Sequence, residues 1–532
     1  MEVKNTIKKT LTINRNSILL FFAGLSSILL FAPFNYFLLG FIIFPLLLKK
    51  TFEAKNYFLT FNTFFFFFLG FYLGNYYWIS FSFLVNKNYT LFFPIIFLFI
   101  PLFFTVFSTI FLSLIYYLKK KFFSNLTSFF LCYSLLFFLH EYIRGHIIPF
   151  VDLKGLPWNL LGYSIANDFL VQIISIIGIY GLTFLIIHLF HTVIFIFYNS
   201  NILKTVTILI LNSLVLLALY LFGYQHIKNN DLQIISQDKF LLLHTNFSQH
   251  HQYDQTKILA NITNYITLLN NNKDHKDIII FPEGAIPVST EYNQNPAINY
   301  IIDNLKETNF NYFIVGSPYM RKNNHLEQYF NSLMLINNKG KIDQYYHKFN
   351  LVPFGEYIPY LKIFPRLAAQ KNFTKGDELK VITIKDNIGN NISYIPLICY
   401  DGIFSGKMSR TGDFLLNVTN DIWFTRKISN FNISLGTWQH FDHIRYRSIE
   451  EGKPLIRVAN YGITAVIDSF GRIIQKLDFN DKNQTITITL PEKLKHPTFF
   501  NKYRNLITYL LVIFNLIILY ISFSHKFHGY LR

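Results

Sequence analysis

The chain divides into two regions by the pattern of its apolar positions. Residues 17–224 hold nearly unbroken apolar runs, whereas residues 225–503 alternate short apolar runs with polar and turn residues. Because an apolar helix needs about 20 residues to cross the hydrocarbon core of a bilayer, the first region predicts membrane-spanning helices. With one more run near the carboxyl terminus we predict about eight spans, of which the first two are short and form either a tight hairpin or one irregular unit. The predicted spans are 17–32, 36–48, 57–81, 91–118, 124–143, 168–198, 203–223 and 506–524.

The second region has the pattern of a separate α/β domain. Apolar runs of strand length alternate with longer segments of helical character, which is typical of an α/β or α+β sandwich. The expected organisation is a membrane domain over 1–224 with about seven helices, a domain over 225–503, and a terminal helix with a short tail over 504–532. The predicted strands are 239–244, 277–281, 312–316, 331–336, 379–384, 393–398, 413–418, 455–459 and 463–468, and the predicted helices are 253–271, 295–307 and 437–451.

Basic residues mark one side of the predicted membrane. With eight spans, the amino-terminal tail, the clusters 49–55 and 119–121, and Lys204 all fall on the same side, which the excess of Lys and Arg in cytoplasmic loops makes the cytoplasm. The domain 225–503 then lies outside. The net charge of +18 is explained by these flanking clusters, and no recognised motif accompanies it, so we expect no nucleic-acid partner.

The composition leaves one cysteine to be explained. The sequence is 52% hydrophobic and contains two cysteines. Cys132 lies within an apolar run and is expected in the bilayer, which excludes the disulfide framework of a small secreted protein. Cys399 remains as a lone thiol, to be explained by packing or by chemistry.

Glu283, Lys348 and Cys399 each follow an apolar run or precede one in the second region. A thiol attacks only as its thiolate, so Cys399 needs a base or a positive neighbour. A buried carboxylate such as Glu283 can take the thiol proton, and an ammonium such as Lys348 can stabilise an oxyanion, with Glu356 holding that ammonium. Each residue alone also has a plainer interpretation, as a small buried side chain, a solvated turn residue or a surface lysine.

Histidines of the predicted helix 437–451 suggest no metal site. His440 and His443 are spaced i, i+3, but no set of Cys, His and carboxylate residues accompanies them in sequence, so a helix-surface or core role is expected. Gly-rich phosphate loops are absent from the sequence. We therefore predict neither a metal nor a cofactor.

The three candidate residues lie in three longer sequence blocks. The blocks are Phe281-Pro-Glu-Gly-Ala-Ile-Pro287, His347-Lys-Phe-Asn-Leu-Val-Pro-Phe-Gly-Glu-Tyr-Ile-Pro359 and Ile398-Cys-Tyr-Asp401. They resemble the catalytic blocks of the apolipoprotein N-acyltransferase family, a membrane branch of the nitrilase superfamily. Similarity continues over Asn417–Phe424, Trp438–Phe441 and Arg457–Ala465, and over Ala32–Phe34, Glu141–Gly145, Pro157–Trp158 and Gly162–Tyr163 in the first region.

The resemblance implies a fold and a set of roles. The fold is a nitrilase-like αββα sandwich outside a multi-pass helical domain. Glu283 is implied as general base, Lys348 as oxyanion-stabilising residue and Cys399 as nucleophile, with support from Glu356 and from the pair Tyr400 and Asp401. This chain departs from the family where Asp401 replaces the usual Glu, and its segment between Phe424 and Trp438 is longer.

The resemblance also implies a reaction and a location. The acyl group at the sn-1 position of a phospholipid, with phosphatidylethanolamine as the expected donor, passes through a Cys399 thioester to the amine of a diacylglyceryl-cysteine apolipoprotein. The enzyme is expected as a monomer in a bacterial inner membrane, with its catalytic domain in the periplasm. Mobile apolar lids are expected over Tyr357–Phe364 and 422–438, although ordinary loop packing explains those segments as well.

Two alternatives remain open from the sequence. A membrane-tethered amidase or hydrolase would use the same residues with water as acceptor, and its product would be a free acid. A lipid-handling protein with a catalytically silent domain would form no acyl-enzyme, although the predicted spans lack an obvious charged pathway.

Overall fold

The structure, a computed structural model, comprises a helical part and a two-sheet part. The helical part consists of most of the chain before residue 229 together with the carboxyl-terminal helix, and the strands of both large sheets lie between them. The structure describes residues 14–85, 87–122, 125–148, 153–198, 201–229, 234–247, 255–271, 278–286, 300–301, 303–304, 310–323, 326–357, 372–386, 389–424, 426–428 and 431–529.

Asparagine side chains start several helices of the first part. The amide oxygens of Asn14, Asn56, Asn125 and Asn201 accept hydrogen bonds from backbone N–H groups two or three residues on, which would otherwise be unpaired at a helix start. The helices are α1 (Arg15–Ser26), α2 (Gly40–Glu53), α3 (Tyr57–Tyr76), α4 (Phe93–Ser113), α5 (Ile115–Phe122), α6 (Leu126–His146), α7 (Ile174–Thr192), α8 (Ile194–Phe197) and α9 (Ile202–Lys228), followed much later by α10 (Gln255–Asn270), α11 (Leu435–Glu451), α12 (Phe499–Tyr503) and α13 (Leu506–Gly529).

Five helical segments in the described part of the chain are long and apolar enough to cross a membrane. Each overlaps one of our predicted spans. Two further apolar helices, Arg15–Leu30 and Leu506–Ile521, fall below that length, and α2 has 14 residues. The predicted count of eight spans is therefore not confirmed, because the predicted spans 17–32, 36–48 and 506–524 correspond to these three shorter helices. The five segments are Tyr57–Leu84, Thr90–Lys121, Leu126–His146, Leu170–Phe197 and Ile202–Lys228.

Helix α7 is broken at Gly178. This residue has φ 67° and ψ 176°, a conformation that glycine adopts readily because it lacks a Cβ. The break frees the N–H of Ile179, which donates a 2.8 Å hydrogen bond to Oε1 of Glu450 on α11. The predicted span 168–198 is thus divided at Gly178. The first N–H group of its second half is paired with a carboxylate from the two-sheet part.

The second part contains two six-stranded sheets. In one the strand order is β15-β14-β13-β10-β9-β8, and in the other it is β16-β3-β4-β5-β6-β7. The strands are β3 (Ile234–His244), β4 (Ile278–Ile280), β5 (Tyr312–Asn323), β6 (Leu326–Asn337), β7 (Ile342–His347), β8 (Ile382–Lys385), β9 (Asn391–Ile398), β10 (Phe414–Asn420), β13 (Leu455–Asn460), β14 (Thr464–Ile467), β15 (Ile473–Leu477) and β16 (Gln484–Pro491), with short hairpins formed by β1 (Ile147–Ile148) and β2 (Leu153–Lys154) and by β11 (Arg426–Ile428) and β12 (Phe431–Ile433).

The two sheets pack face to face between helices. In β4, Ile278 and Ile280 point to the core between the sheets, while Ile279 packs with residues of α10 on the outer face. Helix α11 covers the outer face of the other sheet through Phe441 and Ile444. The layers are therefore α, β, β and α, which confirms the expected sandwich and follows from the alternation of side chains along each strand.

All nine predicted strands overlap observed ones. Among the described residues, three strands of the two large sheets were missed, together with the four short strands of the β1–β2 and β11–β12 hairpins. The three are β7, β15 and β16, which each form the edge of a sheet. The predicted helix 253–271 corresponds to α10 and 437–451 to α11. Of the predicted helix 295–307 the structure describes 300–301 and 303–304, which are helical, and most of Tyr357–Phe364 lies outside the described residues. The segment 422–438 contains the β11–β12 hairpin.

The helical part and the two-sheet part share one apolar cluster. Tyr400, Phe404 and Tyr446 from the second part are buried in the same cluster as the side chains of α3, α4, α6 and α7. Apolar contact therefore continues from the spanning helices up to the turn that contains Cys399.

Candidate active site

Cys399 directly follows Ile398, the last residue of β9. Both side chains are buried in the core between the two sheets. It has φ 47°, in the left-handed region, and begins a 3₁₀ turn that continues to Ile403. Its side chain is 5% exposed. A sharp turn after a central strand places a side chain at the end of the sheet, where neighbouring strand ends bring other groups close.

Glu283 and Lys348 reach the same place from the other sheet. Glu283 follows β4 and Lys348 follows β7, and the Lys348 Nζ lies 3.5 Å from Oε1 of Glu283. The Nζ lies 2.9 Å from Oε1 of Glu356, which is held in turn by the backbone N–H of Val352 at 2.7 Å. Sheet pairing thus brings together two residues that are 65 positions apart in the sequence.

Asn331 joins the two carboxylates and was missed by sequence reasoning. Its Nδ2 donates 2.7 Å hydrogen bonds to Oε1 of Glu283 and to Oε1 of Glu356. The backbone N–H of Asn420 donates to the other oxygen of Glu283 at 2.9 Å. Asn331 lies in β6, opposite the turn that contains Lys348, and that strand contains several other polar residues, so no signal in the sequence singles this amide out.

Burial and charge set the protonation states of the three side chains. Burial raises the pKa of Glu283, and the Glu356 charge adds to this against the opposing effect of Lys348. Burial alone lowers the pKa of Lys348, but Glu356 and Glu283 outweigh it and raise that pKa above its ordinary value. Burial, together with Glu283, raises the pKa of the Cys399 thiol. The resting site therefore holds a neutral thiol beside a charged ammonium and a carboxylate of increased basicity.

Asp401 connects the nucleophile turn to the lysine turn. One carboxylate oxygen accepts from the backbone N–H of Asn350 at 2.7 Å, and the other accepts from the Tyr346 hydroxyl at 2.9 Å and from the Ile398 N–H at 3.3 Å. Tyr346 and Asn350 flank Lys348 in the sequence. The shorter side chain at this position thus contacts both ends of the lysine turn directly, without a bridging water.

The neighbouring Tyr400 points toward the helical part. Its hydroxyl lies 3.5 Å from the carbonyl oxygen of Gly155, in the loop that follows α6. Tyr400 is 9% exposed. The two residues after Cys399 therefore contact different parts of the molecule, Asp401 the second sheet and Tyr400 the helical part.

A second buried polar cluster lies behind Cys399. Ligand-type atoms of Cys399, Asp421 and His440 lie within 4.8 Å of one another. The Arg457 guanidinium occupies the same space, 2.7 Å from Oδ2 of Asp421 and 3.2 Å from Nδ1 of His440. A metal cation there would face this positive charge, so the donor set does not fit a metal. The expected helix-surface or core role of His440 is realised as a fully buried position next to the nucleophile.

Comparison with known proteins agrees with this architecture. Residues 23–190 match the apolipoprotein N-acyltransferase N-terminal domain, and residues 247–495 match the carbon-nitrogen hydrolase domain. A CN-hydrolase superfamily protein of known structure from Xanthomonas campestris overlays on 48% of this chain and 91% of its own, at 18% identity and a TM-score of 0.34. The family match over residues 247–495 assigns the two-sheet part to the carbon–nitrogen hydrolase class, and this domain is joined to apolar helices.

Similarity to named relatives extends over nearly the whole chain. The apolipoprotein N-acyltransferase of Rickettsia typhi is 30% identical over 521 residues, covering 95% of this chain and 98% of that protein. The enzyme of the same name from Wigglesworthia glossinidia brevipalpis is 30% identical over 480 residues, covering 86% and 88%. The chain belongs to the apolipoprotein N-acyltransferase family, and it is accordingly a bacterial, membrane-embedded acyltransferase.

Proposed function

We propose that the enzyme transfers the sn-1 acyl group of a phospholipid, with phosphatidylethanolamine as donor, to the α-amine of a diacylglyceryl-cysteine apolipoprotein. The observation that carries the proposal is the buried cluster of Glu283, Lys348 and Glu356, in which the charges of Glu283 and Lys348 act on the Cys399 thiol. A nucleophile, a base of raised pKa and a fixed cation are the groups that acyl transfer through a thioester requires.

The first half-reaction forms the acyl-enzyme. Glu283 takes the thiol proton as Sγ of Cys399 attacks the ester carbonyl, and the Lys348 ammonium stabilises the tetrahedral oxyanion. The carbon–oxygen bond to the glycerol then breaks, and Glu283 returns the proton to the departing lysophospholipid alkoxide. Charge is conserved within the site because Lys348 stays protonated throughout.

The second half-reaction delivers the acyl group. The neutral α-amine attacks the thioester carbonyl, Glu283 accepts one amine proton, and the carbon–sulfur bond breaks. Glu283 then returns the proton to the Cys399 thiolate, so the enzyme leaves the cycle unchanged. Glu356, Tyr400 and Asp401 support the cycle by holding Lys348 and the turn after the nucleophile.

The location of the site supports lipid substrates. Tyr400 and Phe404 belong to the apolar cluster of the spanning helices, so an acyl chain can remain in apolar surroundings as its ester reaches Cys399. We place the catalytic domain, over 225–503, on the periplasmic side of the inner membrane, tethered by a membrane domain over 1–224 and a terminal helix over 504–532. The enzyme acts as a monomer.

Trapping of the acyl-enzyme tests the proposal. The purified full-length protein, incubated with phosphatidylethanolamine labelled in its sn-1 chain, is expected to gain a label that hydroxylamine removes. Cys399→Ala is expected to gain none, and Glu283→Gln and Lys348→Ala far less than the unsubstituted protein. A label that survives Cys399→Ala would contradict the thioester.

The acceptor distinguishes acyl transfer from hydrolysis. When a diacylglyceryl-cysteine peptide is added to the labelled enzyme, the label is expected on the peptide amine. Release as free fatty acid, at the same rate with and without the peptide, would instead support the hydrolase alternative.

A further inference from the structure

The carbonyl of the nucleophile contacts a histidine that the proposed reaction does not use. Nε2 of His440 lies 3.4 Å from the backbone oxygen of Cys399. Residues other than glycine rarely adopt a positive φ, and the 47° at Cys399 is therefore held by its surroundings. A contact to the carbonyl acts directly on the peptide that sets the direction of the thiol.

The orientation of His440 is fixed from its other side. Nδ1 lies 3.0 Å from Oδ1 of Asp421, and the Asp421 carboxylate also accepts from Arg457 and from the Thr419 hydroxyl, at 2.7 and 2.9 Å. His440 is 1% exposed, and Asp421 and Arg457 are fully buried. An imidazole held at both nitrogens in a closed site cannot rotate without breaking this network.

The helical part supplies the surface that covers the His440 ring. Trp158 stacks on it at a centroid distance of 5.8 Å and an interplanar angle of 24°, and the indole N–H donates to Gln439 at 2.8 Å. The Trp158 carbonyl accepts a 2.8 Å hydrogen bond from Arg144, at the end of α6. A continuous line of contacts therefore runs from a spanning helix through Trp158 and His440 to Cys399.

We propose that His440 is a positioning residue, which holds the Cys399 peptide in the conformation that points the thiol toward Glu283 and Lys348, and that Trp158 makes this conformation depend on the helical part. The role in acyl transfer rests on the proposed function, whereas the effect on the thiol does not. Burial lowers the pKa of His440, so the ring is neutral and has one N–H, which the proposed role places on Nε2, toward the Cys399 carbonyl. Nδ1 then accepts from the Arg457 guanidinium at 3.2 Å, so neither ring nitrogen is left to act as the base.

Two amide substitutions separate the contacts of His440. The amide of His440→Gln can reach the position of Nε2 and so keep the contact to Cys399, whereas the amide of His440→Asn can reach only the position of Nδ1 and so keep the contact to Asp421. The experiment uses full-length protein in detergent with Cys132→Ser, which leaves Cys399 as the single thiol of the chain. The readouts are the rate of iodoacetamide labelling and the rate of acyl-enzyme formation, each as a function of pH.

We expect His440→Asn to slow both rates by about tenfold, the effect of one lost hydrogen bond, and His440→Gln to stay within about threefold. The shapes of the pH profiles and the thermal unfolding temperatures are expected to be unchanged. Equal losses in both variants, or a pH profile that loses a titration step, would overturn the proposal in favour of general packing or of His440 acting as a base.

A tryptophan pair tests the contribution of the helical part. Trp158→Phe removes the indole N–H and reduces the stacking surface, and we expect it to slow iodoacetamide labelling severalfold. Trp438, on the same helix as His440, packs on Phe479 instead, so Trp438→Phe is the matched control and should leave labelling unchanged. Combining Trp158→Phe with His440→Asn should add little to the effect of His440→Asn alone, and full additivity would contradict a shared path.

The two readouts keep the proposals apart. If the unsubstituted protein forms no acyl-enzyme, the proposed function fails, while iodoacetamide labelling still reports whether His440 positions the thiol. If the acyl-enzyme forms and His440→Asn labels and acylates at the unsubstituted rate, the positioning role fails alone.

Discussion

Two buried ion pairs, one in the helical part and one in the catalytic domain, differ in the balance of their charges. In the helical part, Arg144 makes a bidentate contact to the carboxylate of Glu141, with distances of 3.2 and 2.7 Å. Arg144 also donates to the backbone carbonyls of Leu156 and Trp158, at 3.0 and 2.8 Å. In the catalytic domain, one Lys348 is placed between Glu283 and Glu356.

The difference separates structural from reactive chemistry. The guanidinium of Arg144 is matched by one carboxylate and by the carbonyls of a loop, so the pair fixes that loop against the helices. The single ammonium of Lys348 cannot satisfy two carboxylates, and Glu283 retains a raised pKa as a result. A cluster with one more carboxylate than cations can accept a proton during a reaction, whereas a cluster of equal opposite charges keeps its protonation state.

The largest expected effect is on activity, from Lys348→Met. Removing the ammonium removes the proposed oxyanion stabilisation, so acyl-enzyme formation should fall by about 10²- to 10³-fold. The stability loss should be smaller than for the Arg144 variant below, because either glutamate can take up a proton and share Asn331. Lys341→Met, at an exposed position, is the control, and a loss of less than tenfold at Lys348 would contradict the assigned role.

The next effect is on stability, from Arg144→Met. Glu141 would be left buried without its partner, which costs about 3–5 kcal/mol of unfolding free energy. The double variant Arg144→Met/Glu141→Leu should recover part of the loss. Unfolding of the detergent-solubilised protein measures both. Arg472→Met removes a half-exposed guanidinium from Asp468, whose buried carboxylate keeps the backbone N–H donors of Phe470 and Arg472, so it should cost only about 0–1 kcal/mol. Equal losses at the two arginines would remove the contrast.

The variant Glu356→Gln tests whether the second carboxylate beside Lys348 sets the pH dependence of acylation. Glu283 acts as a carboxylate, so the rate is lost as the pH falls through its pKa. The Glu356 charge raises that pKa, and removing the charge should lower it and extend activity to more acidic pH. The maximal rate should fall by about tenfold because Lys348 loses a charged acceptor. Glu378→Gln, on the surface, should not alter the profile, and a shift toward alkaline pH would contradict the assignment.

The smallest effect is expected from Asp401→Asn. An amide offers one acceptor oxygen where the carboxylate offers two, so either Asn350 or Tyr346 loses its partner. We expect acylation to slow by about threefold to tenfold, which corresponds to the net contribution of one ordinary hydrogen bond. Tyr346→Phe, which removes only the hydroxyl donor, should have a weaker effect in the same assay. Unchanged acylation in Asp401→Asn would show that the lysine turn keeps its position without this contact.

The sequence predicted the fold where each segment carries its own signal. Long apolar runs and buried central strands such as β9 and β10 were found because every residue of a central strand faces a core. The edge strands β7 and β15 were missed because one face is polar or exposed. Strand β16 could have been found, since Thr485-Ile-Thr-Ile-Thr489 alternates strictly and its isoleucines are buried.

The candidate site was predicted in its ionisable residues and missed in their partners. Glu283, Lys348 and Cys399 could be named because a thiol, a base and a cation make chemical sense together. Asn331 could not, since a neutral amide in a strand has no chemistry of its own. After the break at Gly178, the N–H of Ile179 is paired with the carboxylate of Glu450, which is 271 positions further along the chain. A pattern of neighbouring residues cannot predict such a contact.

The hydrogen bond from Ile179 to Glu450 bears on whether the catalytic domain could be excised as a soluble fragment. Cutting it from the membrane helices would strip Glu450 of that donor and uncover the apolar side chains of Tyr446 and Phe404. Such a truncation would precipitate rather than work as a detached hydrolase. The membrane helices therefore complete the packing of the catalytic domain. Reconstitution has to begin from the intact polypeptide in lipid.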